Sequence, residues 1–260
     1  MMRTLRAIRY VTPLREGGSL PAIVEASDGE LYVMKFVGAG HGHKALTSEL
    51  IAGEIARALS LNVPEIVLLE LDENLGRSEG DPEIQALLKA SIGLNLGLRY
   101  LPKAFAFDPL LKPPPHALVA SSIVWFDAYV LNVDRTPRNA NILLWQKNLW
   151  LIDHGSTLYF HYDWKDYLER ARSPFPFIKD HVLLPFASEL DHANESNRAW
   201  LSPDTLRGIV NQVPANWLGD NKQFADYDQE RAAYTEFLTR RLDASAIFVE
   251  EAKNARGARI

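Results

Sequence analysis

The sequence predicts an α+β chain, strand-rich around one helix in its first third and mainly helical beyond it. Three observations carry this. Short apolar runs separated by turn residues crowd residues 6–71. Within them, Leu50, Ile51, Ile55, Ala58 and Leu59 recur at helical spacing. A proline-rich stretch over 102–115, including Pro113-Pro114-Pro115, then separates this region from the rest.

Residues 6–14 read as a first strand, followed by the turn Glu16-Gly17-Gly18-Ser19. Residues 20–26 and 31–37 are β-rich runs joined by Ser27-Asp28-Gly29, a hairpin signal. Glycines over 38–42 break the pattern, and a helix is expected over 47–61, with Thr47 or Ser48 as its N-cap and Asn62-Val63-Pro64 as its stop. A strand over 65–71, a charged turn region and a short helix over 82–90 come next. Residues 91–101 read as extended and partly buried. Beyond the prolines, 116–131 is a strongly apolar helix, 132–139 a polar loop, and 142–145 with 149–152 a hairpin turning at Gln146-Lys147-Asn148. From Asp163 onward the pattern is helical. Two units are expected, 1–101 and 102–260.

Composition narrows the function. A chain of 260 residues, 47% hydrophobic and 23% charged, is long enough for two lobes sharing a cleft. Its formal net charge of -5 gives no general attraction for nucleic acid or anionic membrane, and nothing in it reads as a helix-turn-helix with basic flanks. With no cysteine there is no disulfide, thiolate metal site or Cys nucleophile. The first 18 residues lack an apolar core and a cleavage site, and no apolar run is long enough to span a bilayer. The expectation is a cytoplasmic protein. The seven histidines show no metal-binding spacing, and Ser121, Ser122 and Ser156 lack a nucleophile-elbow context.

The chemistry concentrates in 127–155, DAYVLNVDRTPRNANILLWQKNLWLIDHG. Asp134 is followed five residues later by Asn139, then by the hairpin, then by Asp153-His154-Gly155. This order is that of the D-x-x-x-x-N and D-F-G motifs of kinases, with His for Phe. A carboxylate at Asp134 would orient an acceptor hydroxyl and take its proton. A hard cation wants oxygen ligands, offered by Asp153 and by Asn139 or Asn141. Asn139 fits the spacing, whereas Asn141 precedes the strand, so both stand as candidates. Asp127, on the entering helix, either orients the loop or is a helix residue with a local partner.

Upstream, Val33-Met34-Lys35 lies on the third strand, as in the V-A-I-K pattern whose lysine meets the α- and β-phosphates, and Glu49 on the next helix is placed to pair with it. Glu54 is a second candidate, about 140° further round the helix. Gly17, Gly18 and Ser19 fall where a phosphate-covering loop would sit, and read equally as a plain hairpin turn. The adenine is expected near the backbone of Arg99, Tyr100 and Leu101 in the connection between the lobes, with the proline-rich segment competing for that role.

The order GGS, VMKF, TSELIAGEIARALSL, VPE, DAYVLNVDRTPRN and LWLIDHG resembles the HipA family of bacterial kinases. The likeness covers roughly residues 15–160 by motif. Asp134-Arg135 is similar to the D-R-H-x-x-N loop of phosphatidylinositol-type kinases, with Thr136 in place of His. The resemblance implies a bilobal protein-kinase-like fold with ATP and Mg²⁺ between the lobes, and phosphorylation of a protein Ser/Thr hydroxyl. Alternatives are a small-molecule or lipid-headgroup acceptor, or a nucleotide-binding pseudokinase. It names neither the acceptor nor an antitoxin-like partner.

Overall fold

The computed structural model describes residues 2–14, 20–75, 80–219 and 222–259. Five strands close into a barrel in the spatial order β1 (Thr4–Pro13), β2 (Ala22–Ala26), β3 (Leu31–Lys35), β5 (Gly93–Arg99), β4 (Ile66–Leu71). Neighbours are antiparallel, except that β4 returns parallel to β1 through Thr4↔Leu68 to Arg6↔Glu70. Strand alternation sets the faces. Tyr32 and Met34 are fully buried in the barrel core, which turns Leu31, Val33 and Lys35 outward. Opposite Met34, Gly97 leaves room inside: a Cβ there would stand 2.6 Å from Leu69 Cδ1.

The long helix α1 (Gly42–Ala58) lies on the outer face of β4 and β5, with Leu50, Ile51 and Ile55 buried among Ile66, Leu68, Leu96 and Leu98. It begins at Gly42 rather than Thr47, and His41 stands at its N-cap without a side-chain bond. Thr47, Ser48 and Glu49 are all buried. Their cap-like chemistry misled the sequence reading because tertiary contact, not a helix end, satisfies Ser48: its Oγ donates to the Thr157 carbonyl at 2.9 Å. The short helix α2 (Pro82–Ala90) matches its expected span. Asp81 caps it by accepting from Glu83 N, and Ile84 and Leu88 join the barrel core.

A second, three-stranded sheet follows, in the order β6 (Phe105–Ala106), β7 (Ile142–Trp145), β8 (Asn148–Leu151). The β7–β8 turn is closed by Gln146 and Lys147, both left-handed at φ 48° and 65°, as a two-residue hairpin loop requires. The helix α3 (Ala117–Tyr129) is mostly apolar, and from Ala120 onward it is largely buried. The remaining helices are α4 (Tyr167–Arg170), α5 (Leu190–Trp200), α6 (Pro203–Val210), α7 (Tyr227–Asp243) and α8 (Ser245–Gly257).

Buried Arg241 of α7 caps the C-terminus of α3, donating to the carbonyls of Ala128 at 2.6 Å and Tyr129 at 2.8 Å. That fixes the point from which the loop after α3 departs. One apolar core runs without a break from α1 and the outer faces of β4 and β5 into α3, α7 and α8. Among the described residues, no helix is long and apolar enough to cross a membrane.

Candidate active site

Lys35, the last residue of β3, leaves the barrel on its outer face and meets two carboxylates. Its Nζ donates to Glu49 Oε2 at 2.6 Å and to Asp153 Oδ1 at 2.5 Å. Glu49, two turns into α1, is wholly buried, whereas the Asp153 side chain is 49% exposed. Burial works against charge on Lys35, but Glu49 and Asp153 outweigh it and raise its pKa. Burial likewise pushes Glu49 up; the Lys35 charge and a bond from His154 outweigh that and hold it at about 2. Lys35 is therefore held as an ammonium against the Glu49 carboxylate. The structure brings Glu49, not Glu54, to the lysine: Glu54 pairs with Arg57 at 3.3 Å along the helix.

The loop after α3 is built around Asp127, which is buried with three partners. Arg135 Nε donates to Oδ2 at 2.6 Å, His181 Nε2 lies 2.8 Å from the same oxygen, and Asn132 Nδ2 donates to Oδ1 at 2.7 Å. Burial alone would raise this carboxylate, but Arg135 and His181 bring it to about 2. Asn132 also accepts from Asp134 N at 3.1 Å. Asp134 is thus one residue from an anchored arginine and two from an anchored asparagine. Its own Oδ2 accepts from Asn139 Nδ2 at 3.0 Å, and Thr136 and Asn139 exchange backbone bonds that close the loop between them.

Arg135 connects this loop to Asp153. Its Nη1 donates to the carbonyls of Asn141 and Ile152, the latter at 3.5 Å, and Ile152 N donates to Asn141 O at 3.0 Å. One guanidinium adjacent to Asp134 thus grips the residue preceding Asp153. Asn141 and Asp153 both hold left-handed backbone, at φ 48° and 57°. That conformation costs a non-glycine residue about 1 kcal/mol or more and concentrates at functional positions. His154, fully buried, turns its backbone N–H to Glu49 Oε2 at 2.8 Å and its ring edge to Phe126, 5.8 Å between centroids.

The oxygen donors of the two segments joined by Arg135 suit a hard divalent cation. Asp153, Asn139 and Asn141 offer one carboxylate and two amide oxygens. Among the described residues there is no group of three or more His, Cys, Asp or Glu able to hold a metal. Such a sparse oxygen set matches Mg²⁺ or Mn²⁺, which complete their shell with phosphate oxygens and water.

Gly17, Gly18 and Ser19 lie outside the described residues. Arg99 closes β5 opposite Tyr32, three residues along the ladder from Lys35 and Leu96, about 10 Å. The N–H groups of Arg99 and Tyr100 are committed to the carbonyls of Glu65 and Leu31, at 2.9 and 2.8 Å. Leu101 follows, buried, at a turn in which Ala104 N reaches its carbonyl at 3.3 Å. Sequence reasoning missed Asn132 and His181. Asn132 sits beside Asp134 and its type alone was a signal; His181, 54 residues from Asp127, carried none.

A strand barrel with one long helix over a helical part, and a lysine pinned between a helix carboxylate and an Asp-X-Gly aspartate, defines a protein-kinase-like fold. The chain belongs to the HipA-like kinase family, whose profile matches residues 8–246, and it is therefore a phosphotransferase by family. Among solved structures it is similar to the Helicobacter pylori proinflammatory kinase CtkA, at TM-score 0.55 and 13% identity, covering 100% of this chain and 99% of that one. It is also similar to the Golgi casein kinase with Mn and ADP bound, at TM-score 0.52 and 11% identity over 100% of this chain and 75% of the other. No curated protein matches it in sequence.

Proposed function

We propose that the chain transfers the γ-phosphoryl group of ATP, with Mg²⁺ or Mn²⁺, to a Ser or Thr hydroxyl of a protein. The observation that carries this is Lys35 Nζ bridging Glu49 and Asp153, residues 14 and 118 positions away in the chain. Lys35 meets the α- and β-phosphates, and Glu49 keeps it charged and aimed. Asp153 with Asn139 or Asn141 holds the cation, which supplies neutralising charge at the β- and γ-phosphates. Asp134 orients the acceptor hydroxyl and takes its proton, and Asn139 orients Asp134. The Mn and ADP in the similar Golgi casein kinase structure support a nucleotide and a divalent ion here.

In this reading residues 1–101 form the upper lobe and 102–260 the lower. Gly17, Gly18 and Ser19 cover the phosphates; because the N–H groups of Arg99 and Tyr100 are spent on Glu65 and Leu31, the backbone at Leu101 is the part of the expected connection left to face the adenine. A cytoplasmic setting belongs to the same reading, since a chain without cysteine gains nothing from an oxidising compartment.

The test is incubation of the protein with labelled ATP, Mg²⁺ and a cell lysate, beside Asp134→Asn. Labelled phosphoserine or phosphothreonine in protein, made by wild type only, is the expected result. Label confined to small molecules or lipids would move the acceptor class. ATP·Mg²⁺ binding with no transfer to any acceptor would make the chain a pseudokinase.

A further inference from the structure

Three side chains of α1 reach the segment that follows Asp153. Glu49 Oε2 accepts from His154 N at 2.8 Å, and its Oε1 lies 3.3 Å from His154 Nδ1. Ser48 Oγ donates to Thr157 O at 2.9 Å, and Lys44 Nζ donates to His161 O at 2.8 Å. The pairs run 49 with 154, 48 with 157 and 44 with 161, so the segment descends the helix face in antiparallel sense. Positions 44 and 48 are one helical turn apart and share that face.

The segment is braced from its other side. Thr157 donates to His154 O twice, from Oγ1 at 2.8 Å and from N at 3.1 Å, and Leu158 N donates to Val130 O at 2.9 Å just past α3. Ser48, Glu49, His154, Thr157 and His161 are all buried. Hydrogen bonds made away from water are expensive to break, because each leaves a desolvated group without a partner. For α1 to swing out and carry Glu49 from Lys35, all three of these ties would have to open together.

We propose that residues 154–161 are a clasp holding α1 where Glu49 meets Lys35, with His154 as the positioning residue acting on Lys35 through Glu49. The Glu49 carboxylate only accepts, so His154 Nδ1 carries the hydrogen in this contact. A phenylalanine, the residue of the Asp-Phe-Gly motif, has no donor to offer there. His154 thus replaces an apolar contact beneath α1 by a directed bond to the carboxylate that aims the lysine. The catalytic consequence rests on the phosphotransferase reading; the clasp itself does not.

The experiment separates the two by reading amide hydrogen exchange in residues 42–58 beside kcat/KM for ATP. His154→Phe is expected to speed exchange in α1 at least tenfold and to lower kcat/KM at least tenfold. His154→Asn, whose amide N–H falls near the Nδ1 position, is expected to recover most of both. Ser48→Ala removes one tie without touching Glu49, and is expected to speed α1 exchange several-fold, which keeps the clasp testable should His154→Phe not fold. Exchange at the wild-type rate in folded His154→Phe or Ser48→Ala overturns the clasp. Faster exchange with unchanged kcat/KM overturns the positioning role. Faster exchange in a protein that never transfers phosphate upholds the clasp and removes the functional reading instead.

Discussion

Arg135 Nε donates to Asp127 Oδ2 over 2.6 Å, and neither side chain reaches solvent. The pair stands where α3 hands over to the loop bearing Asp134, and the same guanidinium holds the carbonyls of Asn141 and Ile152. Two segments that must converge for chemistry are thereby joined by one cation. Its partner carboxylate is fixed in turn by Asn132 and His181.

Removing Arg135 leaves Asp127 charged, buried and short of its main partner. Breaking a buried pair in this way costs about 3–5 kcal/mol. Arg135→Ala should therefore lower the urea unfolding free energy by about that amount. Arg135→Lys keeps the charge but loses the forked donors, and should recover only part of it. An unchanged unfolding midpoint in Arg135→Ala would show that the pair does not hold the loop.

Lys35→Met is expected to cut phosphoryl transfer at least 100-fold and to weaken ATP·Mg²⁺ binding, while Glu54→Gln changes neither. The asymmetry follows from geometry: Glu49 shares Lys35 with Asp153, whereas Glu54 pairs with Arg57 along the helix. Isothermal titration and initial rates check this. Equal effects of the two substitutions would dissolve the assignment of the phosphate-facing lysine.

Local pattern made most strands visible before the structure, and tertiary contact explains what stayed hidden. The hairpin at Ser27-Asp28-Gly29 announces itself through turn chemistry, and the short helix over 82–90 matches its expected span. The parallel pairing of β1 with β4 that closes the barrel joins residues more than 60 apart, and no local signal marks it. The start of α1 differs from expectation because Thr47 and Ser48, good capping types, are instead buried within the helix, Ser48 against the segment after Asp153.

In the site, residues of the ordered motif were legible because spacing itself carries information. Lys35, Glu49 and Asp153 come together from that pattern alone. The support beneath them was not legible: His181 reaches Asp127 across 54 residues, and the clasp on α1 spans more than 100. The committed N–H groups of Arg99 and Tyr100 depend on the register of β5, which sequence leaves free.

Asn139 and Asn141 both stood as candidates for the second metal ligand, and the proposed function predicts that the role falls to Asn141. Asn139 Nδ2 is spent on Asp134, while Asn141 lies across the ladder from Ile152, next to Asp153. Asn141→Ala should raise the Mg²⁺ concentration for half-maximal activity at least tenfold. Asn139→Ala should lower kcat with a smaller change in metal requirement. Metal titration of the two variants decides, and the reverse pattern would make Asn139 the ligand.

Stability should fall on the acid side because of His161. Burial, with Lys44 and His41 nearby, lowers its pKa from 6.5 to about 3, and its Nδ1 sits 2.7 Å from Tyr234 Oη. Between those two values the unfolded chain binds a proton that the folded chain refuses. The stabilisation is complete above pH 6.5 and drops by about 1.4 kcal/mol per pH unit as pH falls toward 3. His181, lowered by burial and partly restored by Asp127, acts with the same sign. His161→Phe should flatten the dependence by about one proton in denaturant titrations between pH 6.5 and 4. An identical slope in the variant would place the acid sensitivity elsewhere.

Asp134 and Asp153 test chemistry against binding. Both are carboxylates of the candidate site, but of the two Asp153 touches Lys35 and Asp134 is bonded to Asn139. Asp134→Asn keeps the shape and removes the proton acceptor. It should abolish transfer and leave ATP·Mg²⁺ affinity within about twofold, since the proposed function turns this group to the acceptor rather than the nucleotide. Asp153→Asn removes a ligand charge and one of the two carboxylates flanking Lys35. It should abolish transfer and also weaken metal-dependent nucleotide binding at least tenfold. Binding is read by thermal shift with ATP and Mg²⁺ together and apart, where ligand at 100 times its Kd stabilises by about 2.7 kcal/mol. If the two variants lose binding equally, Asp134 belongs to the nucleotide site and another base must be found. If both keep full transfer, neither carboxylate takes part in the reaction.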